Sequence, residues 1–332
     1  MKKLLIIRFS SIGDIILTSP IVRCLKKQLP AIEIHYITKT QYLPLLIANP
    51  YLKKIHTINN NVSEVIEELK KENFDYIIDL HKNWRSFIML FQLRKPFASF
   101  SKLNFKKWLL TSFHINIMPD IHIVERYFKS LKKWGIINDN KGLDYFFPEN
   151  NQIKTISLPD IFQNGFIALV IGSKHYTKQL PLEQTFKFIK KLDLPIVLLG
   201  DKDDAEKSHL IVQNFENNVL DFCGKLKLDE SVYFLNKAKV VVTHDTGLMH
   251  LAAALSKPII SIWGNTVPAF GMYPYMPVNK NFEIIEVLGL KCRPCSRLGY
   301  ENCPKKHFNC MNQIDIDLLV EKTRNLFQKQ II

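Results

Sequence analysis

The amino-acid sequence predicts an α/β protein with two similar domains, each built on a parallel β-sheet. The chain has 332 residues, more than one hydrophobic core usually supports, and 47% of them are hydrophobic. Short β-rich runs alternate with longer amphipathic stretches, an order typical of a parallel sheet with helices on both faces. Because the same order restarts in the second half of the chain, we expect two domains with a cleft between them.

The first half of the chain begins with an apolar run, Leu4–Ile7, that we interpret as a buried strand. With the lysines before it, this run imitates a secretory signal, but Arg8 and Ser10 interrupt it before it is long enough. The elements predicted after it are a helix over Ile15–Gln28, a strand over Glu33–Ile37, a helix over Val62–Lys71 and a strand over Tyr76–Leu80.

The second half of the chain shows the same alternation. Its predicted strands are Phe166–Ile171, Pro195–Leu199, Val240–Thr243 and Ile259–Trp263, and its predicted helices are Leu182–Lys191, Leu228–Ala238 and Leu248–Leu255. The segment Asn138–Asn164 is rich in Asn, Asp, Gly and Pro and has little periodicity. We therefore place the boundary near residue 155, which gives domains 1–155 and 156–332, with the last helix able to pack back on the first domain.

The charge of the chain favours polyanionic partners. The chain contains 45 Lys and Arg residues and 31 Asp and Glu residues, which gives a formal net charge of +14. Such a charge suits nucleic acid, phosphorylated substrates or an anionic membrane surface as partners. A nucleic-acid partner is not expected, since no RNA- or DNA-binding signature accompanies the charge. No apolar run approaches the roughly 20 residues needed to span a bilayer, so we expect a cytoplasmic enzyme.

The cysteines are concentrated near the end of the chain. Four of the six form the pattern Cys292-x2-Cys295-x7-Cys303-x6-Cys310, which does not resemble a disulfide scaffold and indicates a reduced compartment. Four thiolates could hold a structural zinc ion, and the alternative is a set of reduced thiols in a tight loop.

Three loops that follow predicted strands are candidates for chemistry, because ligands of open α/β sheets bind beyond the carboxyl ends of the strands. The first is Ser10-Ser11-Ile12-Gly13-Asp14. It is neither a Walker A loop nor a G-x-G-x-x-G fingerprint. The structural interpretation is that Ser11 or Asp14 caps a helix and Gly13 eases the turn. A catalytic Asp14 needs further evidence.

The second loop is Asp245-Thr246-Gly247, between a β-branched strand and a helix of small residues. The free N–H groups of a helix N-terminus form an anion site there. Gly247 would let a diphosphate approach the backbone, Thr246 would donate a hydroxyl, and His250 lies one turn further on. The alternative is an Asp or Thr cap with His250 packed against the sheet.

The third loop runs from Gly172 to Pro181 and contains Ser173 and Lys178. Lysines, hydroxyl residues and a glycine at the end of a strand form a plausible phosphate clamp. Since lysines are abundant throughout the chain, an ordinary solvated loop is the alternative.

Together these loops resemble the motifs of the ADP-heptose:lipopolysaccharide heptosyltransferases, glycosyltransferase family 9. The first is similar to the family's S-S-x-G-D loop and Asp245–Ala252 to its D-T-G-x-x-H-x-x-A signature. Lys178–Pro181 is similar to the K-x-W-P segment, with Leu180 in place of Trp. The resemblance extends through Phe74–His81 and the cysteine-bearing tail, so it covers most of the chain.

The resemblance implies a GT-B fold, in which two Rossmann-like domains face each other across a cleft. The first would bind a lipid-linked saccharide acceptor and the second a nucleotide sugar, ADP-heptose, with no other cofactor and no catalytic metal. Asp14 falls at the position of the catalytic base of an inverting transfer. The donor-side residues are Ser173, Lys178, Asp245, Thr246, Gly247 and His250, and the acceptor-side residues are Ser11, Gly13, His81 and Arg85.

For two positions of the donor site we expect a more specific role. A second negative charge beside the diphosphate would be repelled, so we expect Asp245 to orient a neighbouring donor or a sugar hydroxyl. The family's ribose-contacting acid falls near Asp204 and Glu206.

The segment Lys82–Pro119 predicts a contact with an anionic inner membrane surface. It contains seven Lys or Arg residues, eight Phe or Trp residues and no acid. The alternative is that Phe87, Phe91, Phe97 and Phe100 are core residues flanked by solvated lysines.

Two other functions compete with heptosyl transfer. One is a transferase of the same fold that uses another nucleotide sugar for a different cell-surface glycan. The other is a nucleotide-binding module without catalysis, which is disfavoured because Asp14 accompanies a complete phosphate site.

Overall fold

The computed structural model describes residues 2–148 and 158–329, which form two compact units. Residues 2–102 and 121–148 make the first domain, and residues 103–120 and 158–329 make the second. The sequence patterns did not predict that residues 103–120 belong with the second domain. The predicted boundary near residue 155 lies outside the described residues.

Each domain is built on one parallel sheet. The first contains the strands β1 (Lys3–Ile7), β2 (Glu33–Lys39), β3 (Lys54–Ile58), β4 (Tyr76–Asp79) and β5 (Phe97–Ser99) in the order β3-β2-β1-β4-β5. The second contains β6 (Ile167–Val170), β7 (Ile196–Leu199), β8 (Val219–Asp221), β9 (Val240–His244), β10 (Ile259–Trp263) and β11 (Phe282–Glu286) in the order β11-β10-β9-β6-β7-β8. Leu4–Ile7 are completely buried, which is why β1 appears in the sequence as an unbroken apolar run.

The described residues form thirteen α-helices. They are α1 (Ile12–Ile16), α2 (Ser19–Gln28), α3 (Ile66–Lys71), α4 (Trp84–Leu93), α5 (Asn104–Phe113), α6 (Ile123–Phe128), α7 (Asp160–Gln163), α8 (Leu182–Leu192), α9 (Ala205–Asn214), α10 (Leu228–Lys237), α11 (Gly247–Ala254), α12 (Asn309–Asn312) and α13 (Ile316–Gln328). The last helix, α13, packs against α8, β9 and β10 of its own domain.

Two predicted helices are each interrupted. The helix predicted over Ile15–Gln28 is divided into α1 and α2, because the Thr18 hydroxyl donates to the Ile15 carbonyl at 2.7 Å and Pro20 starts a new helix. The helix predicted over Val62–Lys71 begins as a 3₁₀ helix and becomes α-helical only at Ile66.

The candidate loops lie at the topological switch point of each sheet, where the strand order reverses. In the first sheet β1 pairs with β2 and β4, so the loops after β1 and β4 flank this switch point. In the second sheet β6 pairs with β7 and β9, and the loops after β6 and β9 flank the equivalent point. Crevices at such points are the usual ligand sites of doubly wound sheets.

No helix among residues 2–148 and 158–329 has both the length and the apolar character required to cross a membrane.

Candidate functional site

The candidate site of the first domain centres on the carboxylate of Asp14, in the first turn of α1. Its Oδ1 atom lies 2.6 Å from Arg8 Nη2, and its Oδ2 atom accepts the Ser11 hydroxyl at 3.0 Å and the Ser11 N–H at 3.3 Å. The structural interpretation therefore holds in part, since Ser11 is the N-cap residue of α1. Asp14 nevertheless keeps 24% of its side chain exposed, so one carboxylate remains accessible at the end of β1.

Asp14 is held as a carboxylate by its surroundings. Burial raises the pKa of Asp14, but the charge of Arg8 and the hydrogen bonds from Arg8 and Ser11 outweigh burial and keep the pKa below its ordinary value. The group is thus charged throughout the neutral range.

Arg8 contacts Asp14 directly, and the sequence assigned no role to it. It is 7% exposed, its Nε–H donates to the Ser10 carbonyl at 2.7 Å, and its Nη1 donates to the Leu80 carbonyl. These bonds fix the guanidinium between the loops after β1 and β4. The only sequence signal is a charged residue directly after a buried strand.

The predicted acceptor-side residues divide into two groups. His81 lies next to the Arg8–Asp14 pair, with its ring 5.0 Å from that of Phe9, and Gly13 is buried in α1. Burial and the charges of Arg8 and Lys102 lower the pKa of His81 to about 3, so its imidazole is neutral at physiological pH. Arg85 is exposed on α4, and its positive charge contributes to the lowered pKa of His81.

The candidate site of the second domain centres on an ion pair between Lys178 and Asp245. Lys178 Nζ lies 2.6 Å from Asp245 Oδ2 and donates to the Asp245 carbonyl at 3.3 Å. Both side chains are largely buried, with 14% and 13% exposed. The loops after β6 and β9 are therefore connected through residues that are 67 positions apart in the chain.

Two residues that the sequence did not single out support this pair. The Thr266 hydroxyl donates to Asp245 Oδ2 at 3.0 Å. Arg293 in turn donates through Nη2 to the Thr266 carbonyl at 2.9 Å and through Nε to the Gly264 carbonyl at 2.5 Å. Asp245 is thereby fixed from the loop after β10 as well as by Lys178.

The N-terminus of α11 begins at Gly247, with Thr246 as its N-cap residue. The Thr246 side chain makes no capping bond, and its hydroxyl lies 3.3 Å from that of Thr243. His250 is 3% exposed. The first N–H groups of α11 are consequently not capped by Thr246, which leaves that end of the helix suited to an anion.

The remaining donor-side candidates lie around the end of β6. The Ser173 carbonyl accepts a hydrogen bond from Gln179 Nε2 at 2.9 Å. Asp204 is 5% exposed and accepts the Asp201 N–H at 2.9 Å, and a Cβ atom on Gly172 would lie 1.8 Å from its carboxylate. Burial raises the pKa of Asp204 to about 6. Of the two acids considered for the ribose, Glu206 is the exposed one.

The four cysteines of the tail are free thiols. Cys292, Cys295 and Cys303 are half-buried and Cys310 is buried, which raises the pKa of Cys310 to about 12. Within the described part of the chain, no three of these sulfur atoms lie within 4.8 Å of one another. A zinc ion could bind here only if the loop moved the sulfur atoms closer together. The structural zinc site stays a prediction.

The basic and aromatic segment is mostly exposed. Phe100 is 4% exposed and belongs to the core, whereas Phe87, Phe91 and Phe97 are 55%, 70% and 51% exposed, so the core interpretation is wrong for these three. For Phe87 and Phe91 the physical reason is that α4 buries its other face, through Ser86, Met89, Leu90 and Leu93. Phe97 instead begins β5, the edge strand of the first sheet.

Comparison with known proteins points to one family. The sequence model of glycosyltransferase family 9 (heptosyltransferase) matches residues 62–306, a range that contains the donor-side residues but not Asp14. Lipopolysaccharide heptosyltransferase 1 of Campylobacter coli is 23% identical over 289 residues, which cover 80% of this chain and 84% of the relative.

Solved structures agree on the fold. The glycosyl transferase family 9 structure from Veillonella parvula DSM 2008 has a TM-score of 0.78 at 20% identity and covers 99% of this chain and 98% of its own. The ADP-heptose lps heptosyltransferase II of E. coli has a TM-score of 0.71 at 18% identity, with both chains fully covered. The predicted fold class, GT-B with two Rossmann-like domains, is confirmed.

Proposed function

The chain belongs to glycosyltransferase family 9, the heptosyltransferase family, and from this membership we propose that it transfers heptose from ADP-heptose to the inner core of lipopolysaccharide. The transfer inverts the anomeric carbon, with Asp14 as general base. The name of the E. coli heptosyltransferase II, which includes ADP-heptose, supports the choice of donor. The names of the curated relatives support the choice of acceptor.

The observation that carries this proposal is the accessible carboxylate of Asp14, paired with Arg8 at the switch point of the first sheet. In the proposed step, Asp14 takes the proton of the acceptor hydroxyl while that oxygen forms a bond to the anomeric carbon. The bond from that carbon to the diphosphate breaks on the opposite side, and ADP leaves with the electron pair. The direct test is transfer from ADP-heptose to a heptose-free inner core.

The second domain supplies what the departing diphosphate needs. A cation and free N–H groups stabilise charge that grows on the leaving oxygen. Lys178 provides the cation, and the first turn of α11 provides the N–H groups. Asp245 contacts the lysine and accepts from Thr266, so its role in the proposal is to orient Lys178 rather than to face the phosphates.

The paired charges of Arg8 and Asp14 favour an enzyme over a nucleotide-binding module. Arg8 is 7% exposed, and removing two charges from water is costly unless their geometry is good. Neither group belongs to the domain that carries the phosphate-site residues. A module that only bound a nucleotide would gain nothing from this pair.

Arg8 is expected to set the acidic limit of activity. Asp14 acts only when it is unprotonated, so the acidic limb of kcat/KM follows the pKa of Asp14. Because Arg8 keeps that pKa low, Arg8→Met should leave burial dominant, raise the pKa of Asp14 and move the limb to higher pH. The measurement is kcat/KM against pH.

The matched variant Arg8→Lys retains the charge and should move the acidic limb less. Thermal unfolding of both variants controls for loss of the bonds from Arg8 to the Ser10 and Leu80 carbonyls. Coincident pH profiles for the parent and a folded Arg8→Met would contradict Asp14 as the group that titrates.

We propose further that the enzyme works on the cytoplasmic side of the inner membrane and rests there on α4. Trp84, Phe87 and Phe91 are 73%, 55% and 70% exposed and are three and four positions apart, so they share one face of the helix. The rings of Trp84 and Phe87 stack at 5.7 Å. Arg85 and Arg94 are exposed on the same helix and its cap, which suits an anionic headgroup layer.

Arg85→Gln combined with Arg94→Gln should weaken binding to anionic vesicles. Each cation near such a surface contributes about 1 kcal/mol, so the pair should account for roughly thirtyfold in affinity. Sedimentation with phosphatidylglycerol vesicles at low salt measures this. Arg297→Gln combined with Lys305→Gln removes the same charge from exposed positions elsewhere and should have little effect. A parent protein that ignores these vesicles at low salt would refute the membrane contact.

A further inference from the structure

A cluster of potential metal ligands lies in the first domain, away from Asp14. Lys3 and Lys54, the first residues of β1 and β3, both contact Glu72, which places the cluster at the amino ends of these strands. Asp14 instead follows the carboxyl end of β1. From this cluster we propose a binding site for one divalent transition-metal ion, Zn²⁺, with His35, His56 and Glu72 as its protein ligands.

The geometry of the three side chains is close to that of a metal site. One ligand atom from each of His35, His56 and Glu72 can be chosen so that all three lie within 4.8 Å of one another. His35 Nδ1 and His56 Nε2 are 3.0 Å apart. Two ligand atoms at about 2.0–2.2 Å from a tetrahedral zinc ion are roughly 3.3–3.6 Å apart. A small movement of the two rings is therefore enough to admit the ion.

Glu68 orients one of the histidines. Its Oε1 atom lies 2.8 Å from His56 Nδ1 and accepts a hydrogen bond from the N–H of that nitrogen. His56 Nε2 then carries a lone pair, which faces His35 and the space where the ion would lie. A carboxylate behind a ligand histidine is the common arrangement of protein metal sites, where it fixes the ring and increases its basicity.

Both histidines are held in place by packing. Each is 2% exposed, and the ring of Phe74 lies edge-on to both, 5.2 Å from the ring of His35 and 6.3 Å from that of His56.

Glu72 offers one oxygen without losing its other partner. Its Oε2 atom is held by Lys3 at 2.9 Å and its Oε1 atom by Lys54 at 2.8 Å. Lys54 also lies 2.8 Å from Glu68 Oε1, and its side chain is 45% exposed. An ion that takes one of these oxygens would displace one lysine and leave the other oxygen paired with the other lysine. Lys54, if it is the one displaced, keeps its contact with Glu68. Two imidazoles and a carboxylate, with water as the fourth ligand, form a donor set that suits Zn²⁺.

The test must separate this site from the cysteine tail. We would use the full chain with Cys292→Ser and Cys295→Ser as background, freed of metal by a chelator. Calorimetric titration with Zn²⁺ should give one ion per chain, and bound Co²⁺ should show ligand-field bands without thiolate charge-transfer bands. Zinc should also raise the unfolding temperature, because it binds the folded state.

Two single substitutions in this background locate the site, and a third serves as the control. Glu72→Gln should reduce the affinity more than tenfold, and Glu68→Gln by about 10–100-fold, the usual effect of losing an orienting carboxylate. Glu67→Gln is the matched control on α3, because its side chain is 77% exposed and pairs with Lys70. It should leave zinc binding unchanged.

Folding of each variant is checked by its thermal unfolding without metal. Absence of zinc binding in the background protein, or equal zinc affinities for the Glu72→Gln and Glu67→Gln variants, would overturn the proposal. His35 and His56 would then be a hydrogen-bonded pair of the core, and heptosyl transfer by Asp14 would be unaffected.

Discussion

Replacement of Asp14 by Asn is expected to lower kcat by about 10²–10⁴-fold, the usual contribution of a positioned general base. Asn has nearly the same shape as Asp but cannot accept the proton of the acceptor hydroxyl. Arg8 keeps its bonds to the Ser10 and Leu80 carbonyls, so the loop should retain its conformation. Affinity for ADP should not change, because the base acts on the acceptor oxygen. Turnover and calorimetry with ADP measure the two effects separately.

The exposed residue Asp120 provides the control for this substitution. Asp120→Asn removes the same charge and should leave turnover unchanged. An Asp14→Asn protein that transfers sugar at the parent rate would show that another group takes the proton.

Removal of Lys178 should weaken ADP binding and slow transfer together. A hydrogen bond to a charged group contributes about 1.5–3 kcal/mol, so Lys178→Ala should cost roughly 10–150-fold in ADP affinity. The loss should be larger in kcat/KM, because charge on the leaving diphosphate grows in the transition state. Calorimetry with ADP and steady-state kinetics provide both values.

The ion pair with Asp245 allows a sharper version of this experiment. Without Lys178 the Asp245 carboxylate is left largely buried and repels the diphosphate. Adding Asp245→Asn to Lys178→Ala should therefore recover part of the lost ADP affinity. Lys174→Ala, at an exposed position in the same loop, is the control. Unchanged ADP affinity in Lys178→Ala would remove this lysine from the phosphate site.

The buried strands were predictable because each carries its own signal. β1 and β10 are buried on both faces, so they appear as apolar runs, and their predicted bounds agree with the structure to within one residue. β5 and β8 have only three residues each, too few to show a period. The interruption after α1 depends on the Thr18 hydroxyl, whose bond to a backbone carbonyl is not visible in the hydrophobic pattern.

The loops of the candidate site were predictable, but the contacts within them were not. A loop that follows a strand must lie at the carboxyl edge of the sheet, whatever its sequence. Which side chains meet there depends on the fold, since Lys178 is 67 positions and Thr266 is 21 positions from Asp245 in the chain. The contact of Arg8 with Asp14 could not be predicted for the same reason, because a lone arginine after a strand does not reveal which carboxylate it contacts.

The basic and aromatic segment shows that amino-acid composition alone does not predict which side chains are exposed. Phe87 and Phe100 lie in the same basic stretch, yet one is 55% and the other 4% exposed. Their places in the fold decide between them. The helix α4 buries Met89, Leu90 and Leu93 and leaves Phe87 exposed, whereas Phe100 follows β5 and its ring lies 4.8 Å from that of Tyr127. Composition alone could not show which face of the helix would be covered.

The choice of sugar donor tests the central proposal most directly. The purified protein would be incubated with a heptose-free lipopolysaccharide inner core and, in parallel, with ADP-heptose, ADP-glucose, UDP-glucose or GDP-mannose. Product mass and the NMR signal of the new anomeric centre would be recorded. We expect ADP-heptose alone to add one heptose efficiently, with inverted configuration. Faster transfer from another nucleotide sugar, or a product with retained configuration, would contradict inverting heptosyl transfer by Asp14.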